Sequence, residues 1–145
     1  MAISYFKSFD LPVKIVRPFN TYGPRQSARA IIPTVISQIL SGKTELKLVN
    51  LTPTRDLTFV KDTANGFLQI ALADGLFAEI TNIGMSEEIT IGELVKLIAR
   101  LIGTEVQIQS DEQRIRPDKS EVERLFCNNS KILILHSLAF FFLHS

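Results

Sequence analysis

Arginines stand where loops leave regular elements: Arg17, Arg25, Arg29, Arg55, Arg114 and Arg116 all fall near Pro18, Pro24, Pro53 or Pro117. A guanidinium is a planar fork of N–H donors that is always charged, so an arginine on a loop is suited to grip a phosphate with two parallel hydrogen bonds. Taken singly, each of these arginines reads first as a surface charge or a partner of Asp10, Asp56 or Asp118, ahead of a phosphate ligand. Other chemistries find less support. No glycine-rich run of the GxGxxG or GxxxxGK[ST] type follows a strand, so the backbone cradle for a dinucleotide or a nucleoside triphosphate is missing. His136 and His144 lie close to the end of the chain and Cys127 has no nearby histidine, which argues against a zinc site and a Cys-His nucleophile. The pairs Glu87-Glu88 and Asp111-Glu112 are adjacent in sequence and read as solvated turn residues. No catalytic residue and no metal ligand is assigned.

The elements that would position the arginines alternate between strand and helix patterns. Leu11 to Val16 is a β-branched apolar run closed by Arg17-Pro18, as for a buried strand that delivers the loop Phe19 to Arg29. Ile32, Val35, Ile36, Ile39 and Leu40 share one helical face, with Pro33 in the first turn and Gly42 as the stop. Short strands are expected around Leu46, Leu48 and Leu51 and over Asp56 to Val60. A second helix then carries the stripe Ala64, Phe67, Leu68, Ala71 and Leu72, capped by Asp62 or Thr63 and ended by Asp74-Gly75. Ala78 to Ile83 reads as a strand and Glu88 to Thr90 as an extended piece. Thr90 and Glu93 have capping-box spacing before a helix with Ile91, Leu94, Val95, Ile98 and Ile102 on its apolar face and Gly103 at its end. Val106 to Gln109 reads as a last strand, followed by a charged stretch from Asp111 to Arg124. The alternation makes the class α/β or α+β.

The 145 residues are enough for one domain, and 46% hydrophobic content is enough to fill its core. A net charge of +1 gives no broad field for nucleic acid or an anionic membrane, so any bound anion must be held by local geometry. One cysteine and the lack of a secretory pattern after Met1 fit a reducing cytoplasm. The end of the chain, Ile132 to Ser145 (ILILHSLAFFFLHS), is strongly apolar. It is shorter than the roughly 20 residues that cross a bilayer, so no membrane span is expected.

Several blocks, read in order, resemble one family. IVRPFNTYGPRQ from Ile15, IPTVISQILSG from Ile32, TRDLTFVKDTANGF from Thr54, ITNIGMSEEITIGELVKLI from Ile80 and RPDKSEVERLFCNNSKI from Arg116 look like consecutive segments of extended short-chain dehydrogenases/reductases that act on nucleotide sugars. The nearest likeness is to NAD-dependent 4,6-dehydratases of UDP-, GDP- or dTDP-linked hexoses, with 4-epimerases and decarboxylases behind them. The resemblance implies that residues 1–131 are the C-terminal, substrate-binding part of such a protein: a small mixed α/β domain plus the last strands of a Rossmann-like NAD(P)-binding sheet. Carried over by position, Pro18 and Phe19 would lie beside the nicotinamide end of NAD. Asn20 would hydrogen-bond the diphosphate or the sugar, and Arg55 and Arg116 would grip the diphosphate. The stretch Leu46 to Val49 would pass the nucleotide base.

The departures from the family pattern set further expectations. The Tyr-x-x-x-Lys pair of the family stands just before the segment that Ala2 to Phe9 resembles, and Tyr5 has no lysine at the required spacing. The tail 132–145 replaces an expected terminal helix, as a frame change or early stop would. The chain alone is therefore expected to bind a nucleotide sugar without turning it over. The alternative is a non-catalytic protein that associates with partners or with itself through an exposed half-sheet.

Overall fold

The computed structural model describes residues 1–48, 50–110 and 122–132. Val49, Arg114, Arg116, most of the charged stretch and all of the tail after Ile132 lie outside the described residues. The chain divides into two compact units, one of residues 1–21, 56–87 and 126–145 and one of residues 22–55 and 88–125. Neither unit is continuous in sequence, which is why no linker composition marks the division.

The first unit is built on a parallel strand pair. Helix α1 (Ala2–Phe9) leads to strand β1 (Ile15–Pro18), which lies parallel to β6 (Ile80–Ile83) with Ile15 opposite Ile80 and Pro18 opposite Ile83. The strand begins later than the apolar run suggests and reaches to Pro18, where the missing N–H suits a strand end. The segment Phe19 to Arg29 is not loop throughout, because Asn20–Tyr22 forms β2 and pairs with β5 (Leu57–Phe59). Helix α3 (Val60–Leu72) packs against β1 and β6. It starts at Val60 without a side-chain cap, so neither Asp62 nor Thr63 is the cap; Asp62 lies in the first turn, where its charge complements the helix dipole.

The buried face of α3 is Thr63, Gly66 and Ile70. The apolar stripe expected from the sequence faces outward, with Phe67, Leu68 and Leu72 at 45%, 60% and 79% exposure. The reason is close approach: a Cβ on Gly66 would stand 2.8 Å from the Ile83 side chain, so the small face is the one that fits against the sheet. Lys14 completes the other end of this helix by donating to the carbonyls of Ile70, Ala71 and Ala73. The last turn of α3 has no basic residue of its own, and Lys14 brings a cation to its negative end.

The second unit holds helices α2 (Ile31–Leu40) and α4 (Ile91–Ile102), packed on one another, with strand β3 (Glu45–Leu48) parallel to β8 (Gln107–Ser110). Val35 and Ile39 of α2 and Leu46 and Leu48 of β3 are buried, while Leu40 turns out to be exposed. Helix α4 follows the sequence closely. Thr90 accepts from the Glu93 N–H at 3.1 Å and the Glu93 carboxylate accepts from the Thr90 N–H at 3.0 Å, which closes the capping box. Ile91, Leu94, Val95 and Ile98 are buried, Ile102 of the expected face is exposed, and Gly103 ends the helix at φ 81°. Beside α4 lies a small sheet in the order β7 (Ile89–Thr90), β4 (Thr54–Arg55), β9 (Arg124–Leu125). β4 is antiparallel to β7 and parallel to β9. The strand expected from Asp56 to Val60 is shorter, β5 at Leu57–Phe59: Asp56 separates it from β4, which precedes the run, and Val60 already opens α3.

Candidate functional site

In the first unit the carboxyl end of β1, beside that of β6, carries three of the residues expected at the site, Pro18, Phe19 and Asn20. Pro18 ends β1, and the Phe19 N–H donates to the carbonyl of Ile83 at 2.8 Å, which fastens the chain to β6 as it leaves the sheet. Asn20 then opens β2 and its amide nitrogen donates to the Asp56 carbonyl at 3.4 Å. A side-chain amide has two N–H groups and one carbonyl oxygen, so this bond leaves one donor and one acceptor for a ligand.

Below Asn20 is a cluster that sequence reasoning weighed only as an ion-pair partner for arginine. Asp56 is fully buried, and its carboxylate accepts from the N–H groups of Met85 and Ser86, both at 2.9 Å, and of Cys127 at 3.2 Å. Three main-chain donors, rather than a guanidinium, satisfy this buried charge. The Ser86 hydroxyl donates to the Cys127 carbonyl at 2.7 Å, the Asn129 N–H donates to the Ser86 hydroxyl, and the Asn129 amide donates to the Gly84 carbonyl at 2.9 Å. Residues 127–129 are thereby sewn onto the turn that follows β6. Gly84 is needed there, since a Cβ would meet Cys127 Cβ at 2.4 Å. Cys127 itself is a buried thiol whose pKa is pushed up to about 11, first by burial and then by the Asp56 charge. At neutral pH it is a protonated packing residue, not a nucleophile. The sequence signal for this cluster was an aspartate inside the apolar run DLTFV.

In the second unit Arg55 sits half-buried in β4, in register with Ile89 and Leu125, and its guanidinium donates to the Thr54 carbonyl at 2.7 Å. Among the described residues the ion pairs are Arg124–Glu88 at 2.9 Å and Lys131–Glu79 at 2.7 Å, so Arg55 has no carboxylate partner there. The Arg124–Glu88 pair spans the strands that flank β4: Arg124 donates through Nε and Nη2 to both carboxylate oxygens, and the Thr54 hydroxyl adds a bond at 3.0 Å. The guanidinium beside Glu88 holds its carboxyl below the usual range, with the Thr54 hydroxyl acting in the same direction. Arg17, Arg25 and Arg29 are exposed. Arg116, the second expected diphosphate ligand, lies outside the described residues, as does Val49 of the base-contacting stretch, whose remainder forms β3.

An open polar cleft of about 330 Å³ lined by Thr44, Glu45, Glu105, Val106 and Gln107 lies at the start of β3 and β8 and contains none of the assigned residues. No metal-binding cluster occurs among the described residues, and none of their helices is long and apolar enough to cross a membrane.

A parallel strand pair backed by a helix, with ligand-type residues at the carboxyl ends, defines a Rossmann-like α/β protein. Residues 1–84 match the NAD dependent epimerase/dehydratase family, and the chain belongs to that family. NAD is the family cofactor. UDP-glucuronic acid decarboxylase 1 of Xenopus tropicalis is 30% identical over 126 residues, which cover 81% of this chain and 30% of that protein. The structure of dTDP-glucose 4,6-dehydratase from Bacillus anthracis in complex with NAD superposes with a TM-score of 0.78 at 28% identity, over 94% of this chain and 42% of that one. UDP-glucuronic acid 4-epimerase from Bacillus cereus, in complex with UDP-glucuronic acid and NAD, gives 0.79 at 26% identity over 91% and 41%. The chain thus spans well under half the length of these relatives.

Among the described residues, the end of β1 does not form a pyrophosphate site for NAD. Pro18 has no N–H and the Phe19 N–H is committed to Ile83, so the end of β1 offers apolar surface and no donor set for a pyrophosphate.

Proposed function

We propose that this chain is the nucleotide-sugar-binding portion of an NAD-dependent NDP-sugar 4,6-dehydratase or epimerase. Arg55 and Arg116 grip the diphosphate, Asn20 donates to the diphosphate or sugar, and Pro18 and Phe19 border the nicotinamide. The observation that carries the reading is Arg55: a half-buried guanidinium in the TRDLTFV block with one donor on Thr54 and no carboxylate partner among the described residues. A cation held in place by a framing sheet, with N–H groups left over, is suited to an oxyanion. NAD, when bound in a family member, supplies hydride transfer; this chain's contribution is to bind and orient. In this reading the chain works in the cytoplasm and turns over substrate only when a glycine-rich NAD-binding half and a Tyr-x-x-x-Lys helix are joined to it.

Isothermal titration with UDP-glucuronic acid and dTDP-glucose tests the reading. Binding is expected with at least one of them, and Arg55→Ala should weaken it by about tenfold, equivalent to roughly 1.4 kcal/mol. Arg55→Lys should restore little of that loss, because an ammonium cannot form the two-pronged contact. Undiminished binding in Arg55→Ala would defeat the assignment. Incubation with NAD and these sugars should yield no 4-keto product.

A second reading, association through an exposed face, is favoured by the outward stripe of α3 and by β1, which pairs only with β6 among the described residues. Such surface draws partners. Light scattering that shows a stable monomer at high concentration would count against it.

A further inference from the structure

We propose that Asp56 is a positioning residue for Asn20, acting through its own main chain. The two ends of this residue do different work. Its carboxylate, fully buried and without a cationic partner among the described residues, is fixed by the N–H groups of Met85, Ser86 and Cys127. Its carbonyl accepts from the Asn20 amide. Fixing the carboxylate from three directions fixes the peptide unit behind it, and that peptide unit sets the rotation of the Asn20 amide and so the direction in which its remaining N–H and its oxygen face a ligand. The anchor is itself held: Ser86 and Asn129 lock residues 127–129 against the turn at Gly84, and the approach of Gly84 to Cys127 leaves no room for the turn to move inward. The Asn20 side chain alone would rotate freely about two bonds; with Asp56 in place it presents one pattern.

The consequence for ligand binding rests on the reading of Asn20 as a substrate ligand, whereas the positioning itself does not, and the experiment separates the two. The ¹⁵N-labelled chain is compared with Asp56→Asn, with Asn20→Ala used to identify the Asn20 side-chain amide signals and UDP-glucuronic acid as the ligand probe. The neutral amide turns a donor toward main-chain donors. The Met85, Ser86 and Cys127 amides should then exchange with solvent on the order of tenfold faster or more. The Asn20 side-chain signals should move to the position of a freely rotating amide, while the amides of Leu94, Val95 and Ile98 in α4 stay in place. UDP-glucuronic acid should shift the Asn20 signals in the parent and not in Asp56→Asn. If the parent shows no ligand shift, the binding role of Asn20 fails while the ligand-free spectra still judge the positioning. Unchanged Asn20 signals in Asp56→Asn, with the three amides released, would overturn the proposal and leave Asp56 a latch for residues 127–129 only. Should Asp56→Asn not fold, ¹⁵N relaxation of the parent decides: the Asn20 side-chain amide must be as ordered as the backbone around it, and a mobile amide overturns the proposal.

Discussion

Replacing Gly84 by alanine adds one methyl group at the most crowded point of the first unit. The new Cβ would meet Cys127 Cβ at 2.4 Å, Cys127 Sγ at 2.6 Å and Asp56 Oδ1 at 3.2 Å. A Cβ is tied to its main chain and cannot rotate away, so residue 127 must move as a unit. Cys127 is fully buried, and its N–H lies on the Asp56 carboxylate while its carbonyl accepts from Ser86. Overpacking costs about 1–3 kcal/mol, and weakening a hydrogen bond to a buried carboxylate adds about 1.5–3 kcal/mol when it is lost outright. A loss of about 3 kcal/mol is expected, a drop in melting temperature of roughly 10 °C for a chain of this size. Urea unfolding followed by circular dichroism measures it. Two controls sharpen the test. Gly66→Ala meets only side-chain atoms of Ile83, at 2.8, 3.1 and 3.1 Å, and gains helix propensity, so it should cost less than Gly84→Ala, about 1–2 kcal/mol. Cys127→Gly removes the atoms that collide and should recover part of the Gly84→Ala loss when the two are combined, a coupling of about 1 kcal/mol or more. If Gly84→Ala unfolds within about 0.5 kcal/mol of the parent, the close contact between the turn and Cys127 does not exist as described and the clasp around Asp56 falls with it.

Thr81 is 1% exposed and its hydroxyl has no partner among the described residues. Thr81→Val removes a buried unsatisfied group at equal volume, so stability should rise by about 1 kcal/mol, read as an increase of a few degrees in melting temperature; a comparable decrease would mean that the hydroxyl is bonded. Glu88 is held below its ordinary pKa by Arg124, so its contribution is present above the unfolded carboxylate range and is lost as pH falls through the lowered folded value. The melting-temperature gap between the parent and Glu88→Gln should therefore be largest near neutrality and close on acidification, and a gap that widens in acid would contradict the pair.

Some of this protein was written locally. The capping box of Thr90 and Glu93 and the stop at Gly103 involve residues within one or two turns, so the sequence alone placed α4 and, apart from the exposed Ile102, its buried face. The ordered blocks from Ile15 onward carried the family, because they record residue types at fixed spacing rather than contacts. Periodicity fared differently on α3. It reports that a stripe is apolar, not which neighbour covers it, and here the neighbour is met by Gly66, which has no side chain to count, while Phe67, Leu68 and Leu72 face outward. Asp56 needed the tertiary structure for the same reason. Its partners lie 29 to 71 residues away and are main-chain N–H groups, which every residue but proline possesses, so no residue type could announce them. Local spacing thus determined elements and kinship, and long-range packing decided which faces are buried and what holds Asn20 in place.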